Sequence, residues 1–179
     1  MDIMEARELY YVLMSETRPE RRDEAYRRLS GSNDEELKGL AESGKTVFEV
    51  MTGKAKPPAL ESVLKRFESM PLADIWSGFA EATGQVLLLH AFSMPKDGDC
   101  RAEIISFGLR FVSKAQDGGF PVSETTIGYV NSAGEAEPKL KNTAQAIIRQ
   151  NSTLVPERPF RERPSGFPPK NPGREAKRV

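Results

Sequence analysis

Two runs carry the decision about fold: Gln85-Val-Leu-Leu-Leu-His-Ala-Phe92 and Ile104-Ile-Ser-Phe-Gly-Leu-Arg-Phe-Val112. From Val86 to Phe92 the first is a continuous apolar run of strand length, interrupted in polarity only by His90. In the second, Ile105, Phe107, Leu109 and Phe111 alternate with Ser106, Gly108 and Arg110. That is the period-two pattern of a half-buried strand. Asp117-Gly118-Gly119 reads as a turn, and residues 125–130 read as a third strand closed by Asn131-Ser132-Ala133-Gly134. The expectation over residues 85–134 is a small antiparallel three-stranded sheet.

Working outward, the N-terminal half carries helical signals. Ile3, Ala6, Leu9, Tyr10, Leu13 and Met14 follow a 3.6-residue period. Pro19 can open a second, charged helix that Ser30-Gly31 ends. Ser32 with Glu35 forms a capping box for a third, and Gly44 stands where a helix would stop. Lys54 to Pro58 reads as a linker. Leu60, Val63, Leu64 and Phe67 then share a helical face, and Pro71 opens a helix with Leu72, Ile75, Trp76, Phe79 and Thr83 on one side, stopped at Gly84. Beyond the sheet, Pro138 starts a last helix over residues 138–151 whose Leu140, Ala144, Ile147 and Ile148 face inward. Helices first and strands afterwards make the expected class α+β, with residues 1–155 as one domain: helical over 1–84, β-rich over 85–134, then a helix.

The chain has 179 residues, with 26 Lys plus Arg against 26 Asp plus Glu, one His and one Cys. A single cysteine excludes an intrachain disulfide, and a single histidine excludes metal motifs that need two. The N-terminal MDIMEARELYY carries Asp2 and Glu5 where a secretory signal would be basic, and no run is long and apolar enough to span a membrane. A cytoplasmic protein without a cofactor is the expectation. The zero net charge hides a division. Residues 156–179 hold seven basic side chains (Arg158, Arg161, Arg163, Lys170, Arg174, Lys177 and Arg178) against three acidic ones, a net of +4 that leaves −4 on the rest. The same stretch has six prolines, and proline disfavours both helix and sheet, so an extended, disordered basic arm is expected. A second basic set lies on the second helix: Arg21, Arg22 and Arg28, with Arg18 and Arg27 beside them.

Three strings resemble chemistry. Gly39-Leu-Ala-Glu-Ser-Gly44-Lys45-Thr46 matches the phosphate-loop pattern G-x-x-x-x-G-K-[ST]. Such a loop needs a buried strand before it and a long helix after it. Here Asn33-Asp34-Glu35-Glu36-Leu37-Lys38 precedes, and no apolar strand ends in a metal-holding Asp. Lys96-Asp97-Gly98-Asp99-Cys100-Arg101-Ala102 resembles the nucleophile loop of ovarian-tumour-type deubiquitinating cysteine proteases. That resemblance implies a thiol at a helix start and a catalytic His far downstream. No His follows Cys100, and residues 103–112 read as a strand rather than a helix. His90 and Cys100 could still form a dyad across a hairpin, but Asp97 and Asp99 beside the thiol would raise its pKa and blunt it.

With no coherent active site, the reading is a non-enzymatic, self-associating assembly protein, organised like coat, nucleocapsid or matrix proteins (capsid-forming viral proteins among them). Its basic arm would contact nucleic acid, RNA favoured, or a neighbouring subunit, with Arg21, Arg22 and Arg28 as a second patch. The alternative is a monomeric adaptor whose Pro156-Glu-Arg-Pro159 and Pro169-Lys-Asn-Pro172 spacings present a linear motif to a protein partner. Nucleotide binding at Gly39 to Thr46, or hydrolysis by Cys100 and His90, stands third.

Overall fold

A computed structural model describes residues 1–70 and 74–154; the basic Pro-rich segment, together with Pro71 and Leu72, lies outside the described residues. Among the described residues there are eight α-helices and no strand. The helices are α1 (Ile3–Ser15), α2 (Pro19–Ser30), α3 (Glu35–Met51), α4 (Leu60–Ser69), α5 (Asp74–Ser93), α6 (Arg101–Gln116), α7 (Glu124–Ala136) and α8 (Lys141–Thr153). Short 3-10 turns, Pro57–Ala59 and Pro138–Leu140, lead into α4 and α8. No helix among the described residues is long and apolar enough to cross a membrane.

The α+β expectation with its antiparallel three-stranded sheet is therefore overturned. Residues 86–92 continue α5, residues 104–112 form the middle of α6, and residues 125–134 belong to α7. The reason is burial on nearly every side. In α6 the alternating set Ile105, Phe107, Leu109 and Phe111 is buried, but so are Ile104, Gly108, Val112 and Ala115. A helix buried over a wide arc carries apolar residues at adjacent as well as i+3 and i+4 positions, and a period-two subset can be picked out of it. The missing turn signal was decisive. Nothing between Asp74 and Ser93 or between Arg101 and Gln116 breaks a helix, and the loop between them ties back through Arg101 Nε, which donates to the Ala91 carbonyl at 3.0 Å.

Helices α5 and α6 form an antiparallel hairpin that is the spine of the fold. They meet at two glycines. A Cβ on Gly84 would lie 2.9 Å from the Gly108 carbonyl oxygen, and a Cβ on Gly108 would lie 2.8 Å from Leu88 Cδ2. Gly84, expected to stop a helix, instead lets two backbones approach. Gly44 repeats the theme in α3, where a Cβ would meet Leu13 Cδ2 at 2.8 Å. The helix expected to end there runs on to Met51.

Caps define several starts. The Asp2 side chain accepts from Glu5 N at 2.8 Å, and Ser123 from Thr126 N at 3.3 Å. At α3 the cap is Asp34, accepting from Glu36 N at 2.9 Å, while Ser32, the expected cap, accepts from Asp34 N at 3.2 Å. On the spine's N-terminal side, α1 packs on α2, α3 and α5. Tyr10 stands edge-on to Phe79 at 5.5 Å, and its hydroxyl lies 2.8 Å from Thr83 Oγ1. Helix α4 reaches from α3 to α6, where Phe67 and Phe111 meet edge to face at 5.9 Å and Arg110 forks onto Glu61 at 2.7 and 3.0 Å. Helices α7 and α8 form a second hairpin, held by Ala133, Ala144 and Ile147.

Candidate nucleic-acid interface

The arginines of α2 separate into distinct contacts. Proline at its first position and acidic Glu20 in its first turn suit the helix start, leaving its cations to reach outward and sideways. Arg18 forks onto Glu16, with Nε and Nη2 donating at 3.1 and 2.9 Å, and Arg21 Nη1 adds a longer contact at 3.4 Å. These bonds, the Arg18 side chain and backbone first, hold the Glu16 carboxyl at about 2, well below the usual carboxylate range. Arg28 turns the other way and pairs with Glu5 of α1. Arg27 pairs with Glu24 at 2.9 Å along the helix.

Arg22 takes a third direction. Its Nη1 donates to the Glu16 and Thr17 carbonyls at 2.9 and 3.1 Å, closing the corner after α1. Its guanidinium lies 3.8 Å over the ring of Phe48 in α3, a cation–π contact. Of the second basic set, then, Arg18 and Arg21 share one carboxylate, Arg22 locks a corner, and Arg28 joins α1 to α2. Arg18 and Arg21 keep side-chain exposures of 61% and 62%, so both can still meet a phosphate. The other cations, Arg158, Arg161, Arg163, Lys170, Arg174, Lys177 and Arg178, lie outside the described residues.

The phosphate-loop string folds as the interior of α3. Its backbone N–H groups are spent on the helix, Ser43 Oγ donates to the Gly39 carbonyl at 3.0 Å, and Thr46 Oγ1 donates to the Glu42 carbonyl at 3.0 Å. Gly39 is buried beneath the Arg66 guanidinium, which occupies the space a Cβ would need. The loop that would wrap a phosphate is absent at these residues. Cys100 is exposed and directly precedes α6 with φ at 68°. The thiol does stand at a helix start, because residues 103–112 are helical and not a strand. No hydrogen bond joins it to His90, which sits half-buried in the last turn of α5. Burial alone holds that imidazole below its ordinary pKa.

The chain matches no family model, no curated protein and no solved structure.

Two polar clusters escaped the sequence reading. Glu81 of α5 places Oε1 at the start of α7, accepting from Ser123 N and Oγ at 2.8 Å each and from Thr126 Oγ1 at 2.5 Å. Gln85 Nε2 adds a bond to Thr126 Oγ1 at 2.6 Å. A carboxylate from a distant helix thus caps α7, where the helix dipole favours it. Glu81 and Gln85 share a face at i and i+4 only because the helix runs on past Gly84, where a strand was expected to begin at residue 85. The second cluster lies between α2 and α3, where Lys45, Tyr26 and Phe48 meet. No spacing in the sequence brings Tyr26 to Lys45 and Phe48; the packing of α2 against α3 does.

Proposed function

We propose that this chain is a non-enzymatic, self-associating assembly protein that contacts nucleic acid, RNA in particular, through the basic segment 156–179. One observation carries the reading: seven basic against three acidic side chains there give a net of +4, while the preceding residues carry −4. The pairing of Arg28 with Glu5 within the helical body supports it, since the C-terminal segment is then the concentrated cationic run. Opposite charges on body and segment also draw copies of the chain together, and salt weakens both contacts.

The test is size-exclusion chromatography with light scattering and two-wavelength absorbance on the untagged chain at low and high salt. It is paired with a variant in which Arg158, Arg161, Arg163, Lys170, Arg174, Lys177 and Arg178 all become Gln. The expected result is a large species with excess nucleic-acid absorbance that high salt strips and the variant lacks. If all seven groups meet phosphates of a single strand, log affinity falls with log salt at a slope of about −5. A monomer free of nucleic acid at every salt concentration overturns the reading. Salt-insensitive capture of a protein partner would instead favour the adaptor alternative, which the Pro-x-x-Pro spacings at Pro156 and Pro169 support.

A further inference from the structure

A cleft of about 280 Å³ opens between α2, α3 and the turn that follows α3. Leu13, Tyr26 and Phe48 give it apolar walls, and Arg22, Lys45 and Lys54 bring cations to it. The cations are of two kinds. Arg22 is fixed by its Nη1 bonds and its seat on Phe48, yet its Nε and Nη2 have no hydrogen-bond partner among the described residues. Lys45 and Lys54 form no ion pair among the described residues. Lys45 Nζ instead lies 5.9 Å over the Tyr26 ring. The Tyr26 hydroxyl is tied to Glu42, which fixes that ring at the cleft.

Asp23 and Glu49 complete the lining, so the cleft has two carboxylates against three cations. Cations beside aromatic walls suit an anion joined to a planar body, because the anion pairs with the cations while the planar body packs against a ring. The carboxylates suit hydroxyl donors between the two. The volume lies at the small end of ligand sites and accommodates one such unit. We infer that this cleft binds a single nucleotide unit, its phosphate held by Lys45, Lys54 and the free edge of Arg22, its base against Tyr26 and its sugar hydroxyls on Asp23 or Glu49. The inference goes beyond the role proposed for residues 156–179 and uses none of them. The phosphate-loop pattern is irrelevant to it, since Lys45 reaches the cleft from the side of an unbroken helix.

The unit has two sources, a free mononucleotide or one residue of a single strand. The experiment titrates the full chain, followed by amide NMR, with adenosine 5′-monophosphate, with inorganic phosphate and with a single-stranded RNA octamer. The expected result is saturable binding of the monophosphate with shifts confined to residues around Tyr26, Lys45 and Lys54. Lys45→Gln with Lys54→Gln weakens it about tenfold, while Lys65→Gln, an exposed lysine on α4, changes it less than about twofold. Helical circular dichroism confirms that each variant is folded. Lys54→Glu serves as a second, single-site variant with the same direction. The octamer arm uses the variant with seven Gln substitutions in 156–179: equal affinity there for the monophosphate and the octamer identifies the free nucleotide, and much tighter octamer binding with shifts at Tyr26, Lys45 and Lys54 identifies the strand; either supports the site. Phosphate binding as tight as the monophosphate, insensitivity to both lysine variants, or no saturable shift with any probe overturns it. The variant with seven Gln substitutions in 156–179 retains the cleft, so monophosphate binding there is expected to persist even if the proposed nucleic-acid contact fails.

Discussion

At the scale of single residues, the same glycine-to-alanine change has opposite expected outcomes at two helical positions. A Cβ on Gly84 would lie 2.7 Å from Val112 Cγ2 and 2.9 Å from the Gly108 carbonyl oxygen, and neither backbone can yield without opening the spine. Gly84→Ala is expected to destabilise by about 1–3 kcal/mol, overpacking outweighing the gain in helix propensity. Gly128 in α7 is exposed, and a Cβ there meets nothing within 4 Å, so Gly128→Ala is expected to stabilise by about 0.5–1 kcal/mol. Urea unfolding of the two variants checks both signs. Tyr10 gives a pH dependence. Thr83 Oγ1 spends its proton on the Phe79 carbonyl at 2.8 Å, so the phenol donates to Thr83 and stays neutral in the fold. Burial raises its pKa well above the ordinary value near 10. A raised folded-state pKa means that the stabilisation is complete below pH 10 and is lost as pH rises above it, because only the unfolded chain then releases the proton. Tyr10→Phe is expected to cost about 1 kcal/mol at neutral pH. Between pH 10 and 11 the parent should lose stability relative to that variant by up to about 1.4 kcal/mol per pH unit. Parallel curves for the two proteins would remove Tyr10 as the cause.

Between elements, a single side-chain amide joins the end of α6, the loop before α7 and α8. Asn151 Oδ1 accepts from Val122 N at 2.8 Å and from Gln116 Nε2 at 3.0 Å, while Asn151 Nδ2 donates to the Val122 carbonyl at 3.3 Å. Gln116 is buried and also donates to the Ile147 carbonyl at 3.1 Å. Asn151→Ala strands the Val122 N–H and is expected to cost about 1–3 kcal/mol. Hydrogen exchange should locate the loss, with the Val122 amide exchanging faster while amides in α1 and α3 keep their protection. Elements of this kind set how far the sequence could be read. The faces of α1 and α4 were legible because each presents one apolar stripe and one polar side, and α2 was legible as a charged helix from Pro19 at its start and Ser30-Gly31 at its end. The second half of α5, α6 and the continuation of α3 were not, because their glycines mark close approaches of backbones and, in α5 and α6, apolar residues spread over a wide arc of the helix. In those elements a glycine looks like a stop and a buried helix looks like a strand until the partner helix is placed. At the candidate interface, the cations of α2 were visible as residue types. Their directions, towards Glu16, Phe48 and Glu5, depend on helices α1 and α3 and could not be read along one helix.

Taken as a whole, the molecule hangs on α5. Helix α5 touches α1 and α3 on one side, α7 on another, and runs along α6 for most of its length. Its buried Phe79, Leu87 and Leu88 belong to one continuous apolar core with Tyr10 and Leu40 from the N-terminal helices and with Val130 and Ile147 from the C-terminal pair. A core shared through one helix leaves neither end able to lose its packing while the other keeps all of its own. Single-domain chains of this size with a continuous core commonly unfold in one cooperative step. Trp76 reports on this directly, because it lies near the start of α5 with its ring 5.5 Å from that of Phe79, which in turn meets Tyr10 of α1 at 5.5 Å. Unfolding in urea is therefore expected to give coincident midpoints from Trp76 fluorescence and from the far-ultraviolet helical signal. Gly84→Ala, which acts at the crossing of α5 and α6, should shift both midpoints together. A fluorescence transition that precedes the helical one would mean that α1, α2 and α3 separate from the spine before α7 and α8 do, and the single-core account would fail.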